Sequence, residues 1–445
     1  MTRNLNLAFQ SSTSTQQFLL SKIETKPKPE IPSEKAMAAR QRLAEAFPDL
    51  LSGTEFIETA MQRISPVFQF AAMVIKIDDF SKQIDSNLCA EIWMDVGWAI
   101  DACCREENGF WGQIETKLFA CFFPDKSATA CLNTAKRIQS KISTHRKETV
   151  SIGIAAYPTI NYQKHQVLDN ARKALEHALF FGSNSVVSFD SVSLNISGDN
   201  RYAAGDIDGA IEEFKRALLL DPTNANVHNS LGVCYGVQGE LDKALDEFET
   251  TIWLEPEEFM AIYNIGMVHF LKGNKPGALE FFVDASRLSE DVFEVLFQTG
   301  RVYVEIGKPR AAEPYLKKAI RLRPTSASAF RYMGECYAAL GNINEALSAY
   351  KSAVKINPND AASLSAMGYL YDLQGENPEI CTTFCLQSVE ICPDNGLYRH
   401  RLASLYLKQN RYAEALREFE AAKELGCDCI EDIEHIQNRL AAKAL

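Results

Sequence analysis

The pattern of apolar and polar positions divides the chain into a mixed first part and a long helical second part. Between residues 70 and 190, apolar runs such as 70–77 and 149–158 alternate with segments of helical periodicity. The order strand, helix, hairpin, helix, strand, helix, strand predicts an α+β sandwich with helices against a mostly antiparallel sheet. From about residue 194 onward the periodicity is helical throughout, which predicts an all-α region.

The helical part repeats itself at a constant spacing. Glycine recurs every 34 residues, at Gly198, Gly232, Gly266, Gly300, Gly334 and Gly368. Alanines follow twelve residues later and bulky residues such as Phe214 and Phe248 sixteen residues later. Small residues let paired helices approach, and we expect the bulky residues to fill the space between neighbouring pairs. This 34-residue pattern resembles the tetratricopeptide repeat (TPR), a unit of two antiparallel helices, and predicts seven such units.

Together these patterns predict a multidomain protein with an α+β sandwich followed by an all-α TPR solenoid. The segments are a disordered tail over 1–33, a helical lead-in over 34–66, the α+β domain over 67–190, the repeats over 191–428 and a capping helix over 429–445. The tail is assigned because residues 26–32 hold three prolines and little apolar surface. The capping helix is expected because repeat arrays need a solvated end.

Several stretches of the α+β region resemble, in order, the GGDEF family of diguanylate cyclases. The stretches are residues 49–53, 74–85, 115–124, 150–158 and 171–184. The resemblance implies a nucleotide-cyclase-like fold. In active members, an acidic residue of the first strand and one of the hairpin hold two Mg²⁺ ions against GTP, which is two-metal phosphoryl transfer.

The same resemblance implies that the catalytic site is lost. Its two metal-binding positions align with Lys76 and Leu118, which cannot ligate Mg²⁺, and its guanine-contacting position aligns with Ile84. Asp78 and Asp79 remain, but adjacent strand residues point to opposite faces, so we expect them to begin a turn or to cap a helix. The prediction is a protein without catalytic residues, cofactor or metal.

Charge and cysteine content restrict the partners and the compartment. The net charge is −12, and residues 1–190 carry equal numbers of acidic and basic groups, so the helical part carries the whole excess. Acidic surfaces disfavour nucleic acid. The twelve cysteines lack paired metal or disulfide spacing, and no apolar run of about 18 residues occurs. We therefore expect a cytoplasmic protein that binds neither nucleic acid nor membrane.

We expect a protein or peptide to bind the groove that the first helices of the repeats line. Aromatic, Met and Arg side chains are enriched at interfaces and occur at the groove positions. The predicted partner-binding residues are Met260, Tyr263, Met267, Phe270, Phe297, Arg301, Arg331 and Tyr369. At each position the alternative is internal packing. The composition favours an apolar or amphipathic partner, with basic residues as an option.

The predicted function is a non-catalytic interaction scaffold, a signalling or assembly adaptor. One alternative is a regulator whose GGDEF-like domain binds GTP or a cyclic dinucleotide, or is a weak cyclase. Another is that the α+β domain forms a homodimer and presents two arrays. Binding of GTP with Mg²⁺ and sedimentation experiments separate these cases.

Overall fold

A computed structural model describes residues 34–78 and 86–443 of the 445-residue chain. The predicted tail over 1–33, and the expectations for Asp79 and Ile84, lie outside the described residues. The chain divides into two compact units, Met1–Asn264 and Ile265–Leu445. The first unit therefore contains the sheet and the first two repeats. Within the described ranges, no helix combines the length and apolar character needed to cross a membrane.

The α+β region contains its strands and helices in the predicted order. They are α1 (Glu34–Ala46), α2 (Gly53–Ile64), β1 (Phe70–Ile77), α3 (Ser86–Glu106), β2 (Phe110–Glu115), β3 (Leu118–Pro124), α4 (Ala128–Ser143), β4 (Val150–Tyr157), α5 (Val167–Phe180) and β5 (Val186–Ser188). The strand order is β2-β3-β1-β4-β5, and only β4 and β5 are parallel. The predicted mostly antiparallel sheet is confirmed.

The central strand β1 separates two apolar cores. Met73 and Ile75 pack with α1, α3 and α4, whereas Phe70 and Val74 pack with α2 and α5. This division follows from the two-residue period of a strand, which sends alternate side chains to opposite faces. Because both faces are covered, β1 reads in the sequence as a continuous apolar run rather than as an alternating one.

Helix α5 lies directly against strand β4 at Gly153. A Cβ atom at this position would come within 2.1 Å of the Leu175 backbone nitrogen and 2.2 Å of the Ala171 carbonyl oxygen. Since both atoms belong to the helix backbone, no side-chain rotation could relieve the clash. The missing side chain therefore sets the distance between helix and sheet.

The same helix joins the sheet to the first repeat. Lys173 of α5 lies 2.9 Å from both carboxylate oxygens of Glu213, whose side chain is 2% exposed. One turn further, His177 Nδ1 lies 3.2 Å from both Ser193 Oγ and an Asp190 oxygen. Sheet and first repeat thus share buried polar contacts within one compact unit.

Seven helix pairs and a final helix form the rest of the described chain. They are α6 (Ser191–Ala203), α7 (Ile207–Leu220), α8 (Ala225–Gln238), α9 (Leu241–Leu254), α10 (Phe259–Leu271), α11 (Lys275–Leu288), α12 (Phe293–Glu305), α13 (Pro309–Leu322), α14 (Ala327–Ala339), α15 (Ile343–Ile356), α16 (Ala361–Leu373), α17 (Pro378–Ile391), α18 (Gly396–Lys408), α19 (Tyr412–Glu424) and α20 (Ile430–Lys443). These bounds agree with the period of the repeat and with a terminal helix.

In the first five repeats, the glycine of the first helix lies against the bulky residue of the second helix. A Cβ atom at Gly232 would come within 2.6 Å of the Phe248 ring, and one at Gly300 within 2.7 Å of Leu316 Cγ. As expected, bulky residues also pack between neighbouring pairs: Leu316 packs with Met333 of the next repeat, and Tyr350 with Met367. Their contact within a pair was not predicted, and it arises because glycine leaves room there for a large side chain.

A second glycine series, which the sequence analysis overlooked, ends the first helices. Its members, with φ between 74° and 85°, are Gly205, Gly239, Gly273, Gly307, Gly341 and Gly375. In the seventh repeat Asn410 takes this place with φ 58°, one residue late because the sixth repeat is one residue longer. A left-handed residue is what stops a helix and reverses the chain.

Candidate protein-binding face

The first helices of the later repeats hold arginines against aromatic rings. The Arg301 guanidinium lies 4.6 Å from the centre of the Phe270 ring and 5.5 Å from that of Tyr332. Arg331 lies 5.2 Å from the same Tyr332 ring. Each such contact contributes about 0.5–2 kcal/mol, depending on its exposure. The arginine–aromatic face is defined by Phe270, Phe297, Arg301, Arg331, Tyr332, Tyr369 and Arg401.

Glu305, at the end of α12, fixes the position of Arg301. Its carboxylate accepts hydrogen bonds from Arg301 Nε at 2.8 Å and Tyr332 Oη at 3.2 Å, and Lys275 Nζ lies 2.9 Å away. Burial alone would raise the pKa of Glu305, but the bonds from Lys275 and Arg301 lower it below its ordinary value. Glu305 therefore stays ionised, and its charge is already compensated.

Phe297 occupies the middle of the face and is half-buried. Its ring stacks on Phe293 at a centroid distance of 5.6 Å and meets Tyr332 edge-on at 5.7 Å. Phe293 is in turn covered by Arg323, 3.9 Å from its ring centre. The Phe297 ring is thus held in place by neighbouring rings while part of its surface remains open.

Arg331 stands between two carboxylates. Its terminal nitrogen lies 3.4 Å from Asp360, which also caps α16 by accepting from the Ser363 backbone nitrogen. Glu335 lies 4.0 Å from Arg331 Nε, and burial raises the pKa of Glu335. Glu335 therefore takes up a proton at higher pH than an ordinary glutamate.

At the far end of the face, a further arginine lies against an aromatic ring. Arg401 lies 5.0 Å from the ring centre of Tyr369 and donates to Ser365 Oγ at 3.0 Å. The Tyr369 side chain is 43% exposed, so it presents a large ring to solvent.

The face still has hydrogen-bond donors to offer. A guanidinium carries five N–H groups, and within residues 265–443 Arg301 hydrogen-bonds through Nε alone. Because the guanidinium lies close to two aromatic rings and its Nε is bonded to Glu305, its terminal nitrogens keep a fixed direction. The arrangement combines ring surfaces with oriented donors, which suits a partner carrying apolar groups and oxygen acceptors.

Three of the predicted partner-binding residues lie elsewhere. Met260, Tyr263 and Met267 are only 1–3% exposed, so in this structure their side chains pack internally. Helical position predicted the direction of these side chains but not what covers them. The other five predicted residues all lie on the face.

Two residues of the face, Tyr332 and Arg401, were missed. Arg301 follows Phe270, Tyr332 follows Arg301, and Arg401 follows Tyr369 at nearly the same spacing along the chain. The two residues of each touching pair are separated by about one helical turn less than the length of a repeat. The reason is that side chains in contact across successive first helices lie one turn apart along the helix axis. A search for Arg and aromatic residues at this spacing would have found both.

The sheet region lacks a metal centre in the residues described. Lys76 and Leu118 lie directly opposite each other in the β1–β3 register, and no group of three His, Cys, Asp or Glu could hold an ion in the described part of the chain. Asp78 follows β1 and is buried. It accepts from Thr149 Oγ1 at 2.8 Å, Ser151 Oγ at 2.7 Å and the Asn184 backbone nitrogen at 2.8 Å. Its carboxylate therefore ties the end of β1 to β4 and to the segment before β5. The turn or helix cap expected after it falls on residues outside the described ones.

Family models match three stretches of the helical region. Residues 297–361 and 398–425 match models described as tetratricopeptide repeat, and residues 198–239 match one described as TPR repeat. The predicted repeats are thereby confirmed as tetratricopeptide repeats. A comparison with curated proteins finds no match.

Solved structures similar to this chain include several TPR proteins. YrrB, described as a TPR protein with an unusual peptide-binding site, is 25% identical, with coverage of 43% of this chain and 97% of YrrB, at a TM-score of 0.39. A tetratricopeptide repeat protein from Parabacteroides merdae is 18% identical over 55% and 96% of the two chains, with a TM-score of 0.42. PilF of Pseudomonas aeruginosa is 20% identical over 48% and 97%, with a TM-score of 0.44.

Proposed function

We propose that this protein is a non-catalytic scaffold whose arginine–aromatic face binds a peptide segment of a partner protein. The observation that carries the proposal is Arg301, held between Phe270 and Tyr332 by Glu305 while its terminal nitrogens keep their donors. Such prearranged side chains lose little conformational freedom on binding, which favours affinity. Nearby, Phe297 and Tyr369 supply apolar surface.

The charges of the face favour a partner with carboxylate or carbonyl acceptors. Glu305 is compensated by Lys275 and Arg301, and Asp360 by Arg331, so the acidic groups have little attraction left for a basic peptide. We therefore propose an apolar and acidic peptide instead of the basic one that the sequence allowed. Binding of this peptide should strengthen as pH falls through the raised pKa of Glu335, since its negative charge is then neutralised.

A random-peptide display library selected on the full chain tests this face. The test variant is Phe297→Ala/Arg301→Glu. The control variant is Tyr315→Ala/Arg310→Glu, which changes a half-buried aromatic and an exposed arginine on the second helix of the same repeat. We expect selected peptides to lose about tenfold or more in affinity for the test variant only. Equal affinity for wild type and test variant, with folding intact, would place the site elsewhere.

We further propose that the sheet region is a degenerate relative of the GGDEF domain, ending near residue 190, that serves as a mount for the array. The helix and strand order supports this, as does the pairing of Lys76 with Leu118 where the family holds metal. Calorimetric titration with GTP and Mg²⁺ should show no binding, and a cyclase assay no product. Mg²⁺-dependent GTP binding would favour the nucleotide-sensing alternative.

A cytoplasmic location is also proposed. All twelve cysteines are free, and ten of them are buried. Burial raises the pKa of Cys131 and Cys385 to about 12, so these thiols stay protonated and unreactive. Free thiols in such number are typical of a reducing compartment. Fractionation of cells expressing the tagged chain would test the location.

A further inference from the structure

An unusually exposed tryptophan marks a second surface, on the second helix of the second repeat. Trp253 lies near the end of α9 with 79% of its side chain exposed. On the same helix, Asp246, Glu249 and Thr250 line a shallow cleft of about 370 Å³ beside it. A large apolar ring in this position is costly in water and is typical of an interaction site.

The two carboxylates beside Trp253 differ from their neighbour Glu247. In the part of the chain that the structure describes, neither Asp246 nor Glu249 has an ion-pair partner, whereas Glu247 on the same helix pairs with His228 at 2.6 Å. Trp is the ring with the strongest attraction for cations. A tryptophan with two free carboxylates therefore suits an arginine or a lysine.

The chain carries the complementary surface at matching helical positions. Two repeats further along the chain, Glu249, Thr250 and Trp253 are replaced by Lys317, Lys318 and Arg321. Lys317 and Lys318 form partly exposed ion pairs with Glu313 and Glu290, and such pairs are weak enough to exchange for others. Arg321 is exposed and has no ion pair with any described residue.

We propose that the Trp253 cleft of one copy binds the Lys317–Lys318–Arg321 surface of a second copy. The ring and carboxylates of the Trp253 cleft complement the positive charges of the Lys317–Lys318–Arg321 surface, and each copy carries both surfaces. Such a contact joins two different surfaces. After two copies bind, one Trp253 cleft and one basic surface remain open, so further copies can add. The proposal is independent of the arginine–aromatic face, which lies on the first helices.

Sedimentation velocity of the full chain over a range of concentrations and salt provides the first test. We expect association that grows with concentration and weakens with salt, because exposed charges are screened. Trp253→Ala and Asp246→Lys/Glu249→Lys should each lower the association constant about tenfold or more. The control Glu420→Lys/Glu424→Lys makes the same charge change at exposed second-helix positions of the seventh repeat. It should leave association unchanged.

Charge exchange decides whether the two surfaces meet. Lys317→Glu/Lys318→Glu should also lose association by itself, yet it should associate with Asp246→Lys/Glu249→Lys when the two variants are mixed. Circular dichroism melting checks that each variant folds. A monomeric wild type, association that persists in all variants, or failure of the mixture to associate would overturn the proposal. Persistence would instead favour a dimer through the sheet region, and none of these outcomes bears on Phe297 or Arg301.

Discussion

The buried ion pair between the sheet and the first repeat allows a quantitative test. Lys173 and Glu213 side chains are 11% and 2% exposed, with Nζ 2.9 Å from both carboxylate oxygens. At an effective dielectric constant of about 20, one such pair attracts by about 6 kcal/mol. Desolvation of two ions costs several kcal/mol each, so the pair as a whole is worth little against an apolar pair. Loss of one partner, however, leaves the other charge buried.

We therefore predict strongly non-additive effects on stability. A buried charge stripped of its partner costs about 3–5 kcal/mol. For Lys173→Met the cost should fall to about 2–4 kcal/mol, because Arg201 and Arg216 each lie 3.8 Å from Glu213 and retain part of the compensation. Glu213→Leu leaves Lys173 with Asp169 at 3.5 Å and should cost somewhat less. The double variant should lie within about 1 kcal/mol of wild type.

Hydrogen exchange on the amides of α5, α6 and α7 is the appropriate assay. It reports the opening free energy of this segment alone, which matters because repeats need not unfold together. The coupling energy of the double-mutant cycle should be about 2 kcal/mol or more. If the two single costs simply add in the double variant, or if each is below about 0.5 kcal/mol, then the pair is neither buried nor coupled as described.

Two further predictions concern the repeats. Ala312 is fully buried in α13, so Ala312→Glu should cost about 3 kcal/mol or more in unfolding free energy, whereas Ala311→Glu, at a half-buried neighbour, should cost far less by denaturant titration. His228 has a raised pKa because Glu247 lies 2.6 Å from Nδ1. The contribution of this pair to folding stability is therefore fully present below the ordinary histidine pKa of about 6.5, and it is lost as pH rises through the raised pKa of His228. Exchange protection in α8 and α9 should fall as pH rises from about 6.5 through the raised pKa of His228, and His228→Gln should remove this dependence, while a persisting slope would contradict it.

Local periodicity was sufficient to predict the secondary structure but not the long-range pairing. The apolar run of β1 and the regular spacing of the repeats can both be recognised along the sequence itself, so both could be read directly. The strand order β2-β3-β1-β4-β5 depends on pairings between segments distant in sequence, such as Lys76 with Leu118, and was not predicted. The contact between Gly153 and α5 is likewise visible only once helix and strand are brought together.

The candidate site shows the same limit at the level of side chains. Position on a first helix predicted the direction of Tyr263 and Phe297 equally well, yet Tyr263 is 1% exposed and Phe297 is half-buried. The direction of a side chain is set by its own helix, whereas its exposure depends on the size and position of the side chains on the next helix. Tyr332 was missed for the same reason. Its contact with Arg301 depends on the offset of about one turn between successive first helices, which the position of Tyr332 within its own helix does not reveal.

The placement of the two proposed surfaces on different helices has a consequence for function. The arginine–aromatic face belongs to first helices, whereas Trp253 and Arg321 lie on second helices. Association of copies through second helices would therefore leave the peptide-binding residues Phe297 and Arg301 unchanged. An assembly of several copies would then present several identical faces, and a partner with two binding segments would gain avidity without any new contact. Affinity for a single peptide should be the same for wild type and Trp253→Ala, whereas a tandem peptide should bind the variant more weakly. Equal tandem binding would separate peptide recognition from assembly.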